Sequence, residues 1–180
     1  KNRSKSSLHK FEAIFNTFKL LDYKVGEVKG MTLFGIPYNN GNVDLLKFLK
    51  KYKNRGSKHK YLKILMLHTD WPGAKDTSGY ELGSYDNIDK KVEKYLKEYD
   101  LILCGHIHKH QIINHMIMVG APNQQRISDI GNEMGVLILY DDLTVKMVEV
   151  PGVPKFVEYT GIKPKGIDMY IKIEEKTQEE

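Results

Sequence analysis

At 180 residues, with 41% hydrophobic and 28% charged residues, the chain has the size and composition of one medium globular domain able to bury a core. A single cysteine, Cys104, excludes an internal disulfide, and the longest apolar runs are broken by Lys, Asp or His, which excludes a bilayer-spanning segment; a cytoplasmic setting and no membrane partner are expected. The formal charge of +5 is compatible with a polyanionic partner without requiring one.

The chain begins with Lys1 rather than Met, which raises the expectation of a missing upstream segment. Leu8, Phe11, Phe15 and Phe18 recur at helical spacing, with Ile14 and Leu21 filling in, so a helix is expected over about residues 7–21, capped by Ser6 or Ser7. "MTLFGIPY" reads as a short buried strand broken by Pro37, and "YNNGN" as a turn whose Asn42 caps a helix with Leu45, Phe48, Leu49 and Tyr52 on its apolar face. "YLKILMLH", ending at His68, is too uniformly apolar for a sheet with one wet face and should be covered on both. A long polar loop over residues 69–85 follows. "DNIDKKVEKYLKEYD" is a second helix, with Ile88, Val92, Tyr95 and Leu96 on one side and Glu93 four residues before Lys97. "LILC" is the next strand. Strand, helix, strand, helix, strand predicts right-handed crossovers and a largely parallel sheet. After His108, "QIINHMIMVG", "GVLILYDD" and "LTVKMVEV" read as strands of an antiparallel meander with a corner at Asp141 and Asp142. From about Pro154 there is little pattern until "MYIKIEEKTQEE", whose acidic end is expected to fray.

Two of these apolar runs deliver imidazole where the chain turns toward solvent. In "LILCGHIHKHQ", His106 and His108 are one residue apart, so in an extended segment they point the same way, while Gly105 lets the backbone leave the strand sharply. His68 ends a neighbouring strand, and ligand sites in open α/β sheets sit at the carboxyl ends of strands. The three imidazoles are therefore expected to converge as metal ligands. Imidazole alone does not choose among first-row metals, and a pair of cations needs bridging carboxylate as well. His110 and His115 read as packing or solvent-facing residues, and His9 and His59 receive no role.

"ILMLHTD", then "LILCGHIHKHQ", then "MVGAPNQQRISDIGNEMGVLILYDD" resembles the carboxyl-terminal half of calcineurin-like metallophosphoesterases, in the branch of DNA-repair and recombination exonuclease subunits that work beside an SMC-like ATPase, phage versions included. Gly120, Ala121 and Pro122 match that branch's segment after the Gly-His-x-His strand. The resemblance spans roughly residues 8–150. It implies an α/β fold, a β-sandwich flanked by helices of which this chain is the carboxyl-terminal portion, with residues 1–153 as that domain and 154–180 as an extension. It also implies that His68 and His106 bind one divalent metal and His108 a second, manganese first among candidates that include magnesium, zinc and iron. Arg126 and Asn123, in the loop after Pro122, become candidate substrate contacts; Arg126 could meet a phosphate, and a turn held by local hydrogen bonds explains the loop equally well.

The family's other motifs, Asp-x-His, Gly-Asp and Gly-Asn-His followed by an acid, are absent. "GNVD" at Gly41 has Val43 where the histidine belongs, and "GNE" at Gly131 falls after the Gly-His-x-His. The resemblance thus implies half of a two-metal site for phosphodiester hydrolysis of DNA, with little or no activity by the chain alone. Expected partners are DNA, an SMC-like ATPase and a separate amino-terminal half. A phosphoesterase of small phosphodiesters or phosphoproteins, and a non-catalytic fragment docking to the ATPase, are the alternatives. Basic residues crowd residues 47–63 and the first ten positions, as solvated faces or as phosphate contacts. Trp71, Tyr80 and Tyr85 in the long loop could anchor it or stack on an unpaired base.

Overall fold

A computed structural model of the chain describes residues 21–28, 30–38, 42–53, 62–82, 90–159, 165 and 171–172. The expected opening helix, apart from Leu21, and the acidic residues 173–180 lie outside the described residues. Described residues within Lys1–His68 and Asp89–Ile102 form one compact unit, and those within Thr69–Ile88 and Leu103–Glu180 form another.

In the first unit, β1 (Lys24–Val28) and β2 (Met31–Gly35) make an antiparallel hairpin, Lys24 opposite Gly35 and Val28 opposite Met31. Gly30 turns between them at φ 83°. The sequence reading did not foresee β1. "KVGEV" offers two valines among Lys, Gly and Glu, the polar composition of an edge strand. β2 pairs in parallel with β3 (Leu62–His68), and the chain between them contains helix α1 (Asn42–Tyr52), the expected strand, helix, strand unit. Leu45, Phe48 and Leu49 are buried along one face of α1, at the spacing that puts them on a single stripe. A second helix, α2 (Lys90–Leu96), buries Val92 and Leu96. It leads into β6 (Leu101–Gly105), whose start is tied to β3: the Lys63 N–H donates to Oδ2 of Asp100 at 2.7 Å, and the Asp100 N–H donates to the Lys63 carbonyl at 2.9 Å. The strand order here is β1-β2-β3-β6.

Ile64 and Leu65 point to opposite sides of β3 and both are buried, so that stretch is covered on both faces as expected. Cover on the Ile64 side then stops, because Met66 is 41% exposed and His68, on the same side, is exposed too. Phe34 packs edge-on to Tyr99 with ring centroids 5.1 Å apart, and burial pushes the Tyr99 phenol well above its ordinary value.

In the second unit, the end of β6 lies beside β8 (Met116–Met118), and Val119 donates to the Cys104 carbonyl at 2.8 Å. β8 pairs antiparallel with β7 (Gln111–Ile113), Gln111 opposite Met118. "QIINHMIMVG" is therefore a hairpin and not one strand. Asn114 makes its turn at φ 55°, in the left-handed region that asparagine tolerates better than most residues. Cys104, Ile107, Met116, Met118 and Ala121 are buried.

The loop after His68 is also more ordered than its polarity suggested. β4 (Ala74–Lys75) and β5 (Glu81–Leu82) pair as a short ribbon, closed by Oδ1 of Asp76, which accepts the Ser78 N–H, the Ser78 hydroxyl and the Tyr80 N–H. β9 (Val136–Leu139) and β10 (Val145–Val148) form the predicted antiparallel pair, with Oδ1 of Asp142 holding the N–H and hydroxyl of Thr144 at the corner. β11 (Glu158–Tyr159) and β12 (Ile171–Lys172) pair in parallel. The class is α/β with mixed strand pairing: the parallel β2–β3 pair and the antiparallel β7–β8 and β9–β10 pairs follow the expected change of regime after His108, and the antiparallel β1–β2 hairpin departs from it. Among the described residues, no helix is long and apolar enough to cross a membrane.

Candidate metal centre

β6 ends at Gly105, but the chain turns one residue later than the sequence suggested. Gly105 stays in the strand, and His106 itself adopts φ 89°, a conformation that side chains carrying a Cβ rarely hold. Alternation along an extended segment therefore does not bring His106 and His108 to one side; the turn does. Both line a pocket of about 180 Å³ in the second unit, together with Asp70, Asp76, Thr77 and Arg126.

Each histidine meets a carboxylate. Nε2 of His106 is 3.1 Å from Oδ1 of Asp70. Nδ1 of His108 is 3.4 Å from Oδ2 of Asp129, long for a hydrogen bond but in a far drier setting, since the Asp129 side chain is 0% exposed. Asp129 closes a 3₁₀ turn (Ile127–Asp129), and the turn holds its carboxylate: the N–H groups of Gln125 and Arg126 donate to Oδ2 at 2.8 and 3.0 Å. Burial pushes this carboxyl up; the Gln125 N–H, the nearby Thr77 hydroxyl, the Arg126 N–H and the His108 ring together outweigh burial and hold it below its ordinary value of 3.8. Oδ1 of Asp129 is buried without a hydrogen-bond partner. Thr77 Oγ1 lies 3.0 Å from Ser128 Oγ, and the Asn132 side chain donates to the carbonyls of Thr77 and Ser128, so the Asp76 ribbon and the Asp129 turn are fastened together.

Gly120 packs against the backbone that follows His108. At φ 82° it lies so close to the chain after His108 that an added Cβ would stand 3.0 Å from the His108 carbonyl oxygen and 3.1 Å from the His110 nitrogen. That same carbonyl accepts the Ala121 N–H at 3.0 Å.

Each remaining sequence candidate has its own surroundings. His68 belongs to the first unit, where its ring is edge-on to Tyr38 at 5.7 Å between centroids. Asn123 lines a different pocket of about 190 Å³, with Gln124, Asn132, Glu133, Glu149 and Lys155. His110 uses Nδ1 on the Met118 carbonyl at 3.0 Å, a packing role. Trp71 is 8% exposed and anchors its loop, whereas Tyr80 is 71% exposed; Tyr85, His9 and His59 lie outside the described residues. Asp70, Asp76 and Asp129 were missed by the sequence reading. Asp70 had a signal, two residues beyond His68 in "LHTD"; Asp129 had none, because its burial depends on a turn that composition does not mark.

Imidazole nitrogen beside carboxylate oxygen is a donor set that borderline first-row cations accept. The fit is partial, since among the described residues no three His, Cys, Asp or Glu side chains are grouped to hold a metal ion. No protein-family model matches the chain, and no curated protein matches it.

Proposed function

We propose that this chain contributes part of a two-cation site for phosphodiester hydrolysis, acting on DNA in recombination or repair, on the carboxyl-terminal portion of a metallophosphoesterase β-sandwich. The observation that carries the reading is the pairing of both histidines of the Gly-His-x-His loop with carboxylates around one pocket that also contains Arg126. Metal-binding histidines commonly have their second nitrogen held by a carboxylate or carbonyl, and His108 has such a partner in Asp129.

In this reading His106 and His108 are ligands, Asp70 is an oxygen donor beside His106, and Arg126 takes a substrate phosphate. His68 enters on the sequence resemblance. Divalent cations, manganese first, supply polarisation of the phosphodiester and a water of lowered pKa when bound. The family's remaining ligands are not among these residues and would have to join them from other residues, and an SMC-like ATPase is the proposed partner.

Calorimetric titration of Mn²⁺ into the full chain tests the site. Binding weakened in His106→Ala, His108→Ala and His68→Ala is the expected result; equal binding in all four proteins removes the histidines from it. Substrate class is read by DNA association across a salt series. Affinity should fall steeply with salt, and Arg126→Ala should lower the log-log slope by about 1. No association at low salt would favour a small phosphodiester instead.

A further inference from the structure

We propose that Asp129 is a positioning residue that fixes the tautomer of His108, keeping the proton on Nδ1 and leaving Nε2 as the free electron pair. The inference rests on the reading of His108 as a metal ligand for its purpose, although the tautomer itself is a property of the metal-free protein.

The argument is one of donors and acceptors. Oδ2 of Asp129 already accepts the N–H groups of Gln125 and Arg126, at 2.8 and 3.0 Å. An ionised carboxylate oxygen carries no hydrogen and can only accept, so where Nδ1 of His108 meets it at 3.4 Å the hydrogen between them belongs to Nδ1. A neutral imidazole carrying its proton on one nitrogen presents a lone pair on the other, the form a cation requires. The carboxylate does not depend on the histidine for its place. Its backbone N–H donates to the Arg126 carbonyl at 3.0 Å, its own carbonyl accepts the Asn132 N–H at 3.1 Å, and the Asn132 side chain spans to Thr77. Such a turn is rigid before His108 arrives, as an orienting group must be.

A purely structural Asp129 would cap its turn and leave the His108 tautomer to solvent, where neutral histidine favours the proton on Nε2. Long-range ¹⁵N–¹H correlation of the ring nitrogens in the full, metal-free chain, recorded where the spectra themselves show a neutral ring, separates the two. The expected pattern is Nδ1–H; an Nε2–H pattern in the folded wild-type protein overturns the proposal without any variant. Asp129→Ala, checked for folding in the same spectra, should return His108 toward Nε2–H, and an unchanged tautomer would show that something else sets it. Mn²⁺ affinity of the folded variant should fall by roughly 10- to 100-fold. If the wild-type chain binds no Mn²⁺ while His108 is Nδ1–H, the metal reading fails and the positioning relationship stands, so the two failures are told apart.

Discussion

Nε2 of His106 and Oδ1 of Asp70 are 3.1 Å apart, with side chains 35% and 55% exposed. Water reaches both groups, which screens their attraction, so the pair contributes at most about 1 kcal/mol to folding. In the proposed site the pair puts an oxygen donor beside an imidazole. Asp70→Asn should therefore leave the urea midpoint almost unchanged while weakening Mn²⁺ binding by roughly tenfold. A large loss of stability with intact metal binding would assign Asp70 to the fold instead.

The backbone of His106 allows a sharper separation of stability from function. At φ 89° the residue pays for its Cβ, and strain of this kind costs on the order of 1–3 kcal/mol. Glycine adopts the same conformation freely, offset by about 0.5–1 kcal/mol of extra disorder in the unfolded chain. His106→Gly should consequently be more stable than His106→Ala by about 1 kcal/mol, although both lack the imidazole and should lose metal affinity alike. Chemical denaturation of the two variants measures the difference; alanine equal to or better than glycine would mean that this turn carries no strain.

How much of this was legible in the chain depends on how far apart the cooperating residues are. Leu45, Phe48 and Leu49 announce α1 by spacing alone, and "LILC" announces β6, because a local apolar pattern is enough to specify each. His106 and His108 were found the same way, but for a partly wrong reason: extended alternation was assumed, and the turn falls on His106. The hairpin at Asn114 was lost because one asparagine without glycine is a weak turn signal. Asp129 was invisible because its importance comes from partners at Gln125, Arg126, Thr77 and His108 that only folding assembles. Local order was readable, and polar contacts between residues distant in the chain were not.

Gly120 tests whether the close backbone contact beside His108 matters to it. An alanine there faces both the unfavourable φ of 82° and a Cβ 3.0 Å from the His108 carbonyl oxygen, whereas Gly131, at φ 79°, has nothing within 4 Å of its Cβ position. Gly131→Ala should cost only the backbone term, about 1 kcal/mol. Gly120→Ala should cost more and, by displacing the His108 carbonyl from the Ala121 N–H, should also weaken Mn²⁺ binding. Equal destabilisation in the two variants, read from urea midpoints, would mean that the chain around His108 yields without resistance.

Cys104 gives the pH dependence. The thiol is buried, with Sγ 3.4 Å from the Thr69 carbonyl, and burial raises it from 9.0 to about 11 despite that contact, with the Asp70 charge adding to the rise. The folded state therefore binds the thiol proton more tightly than the unfolded state does. The stabilising effect is complete below pH 9.0 and is lost as pH rises toward about 11. Over that window the wild-type chain should lose on the order of 2 kcal/mol through this group. Cys104→Ala should flatten the alkaline fall in part only, because Tyr99 is shifted in the same direction by burial. The same protonation predicts chemistry at neutral pH: the nucleophile is the thiolate, so labelling by a thiol reagent should be slow in buffer and fast in denaturant. Rapid labelling of the folded chain would require a second unit that opens readily around β6, and the alkaline loss would then be correspondingly small.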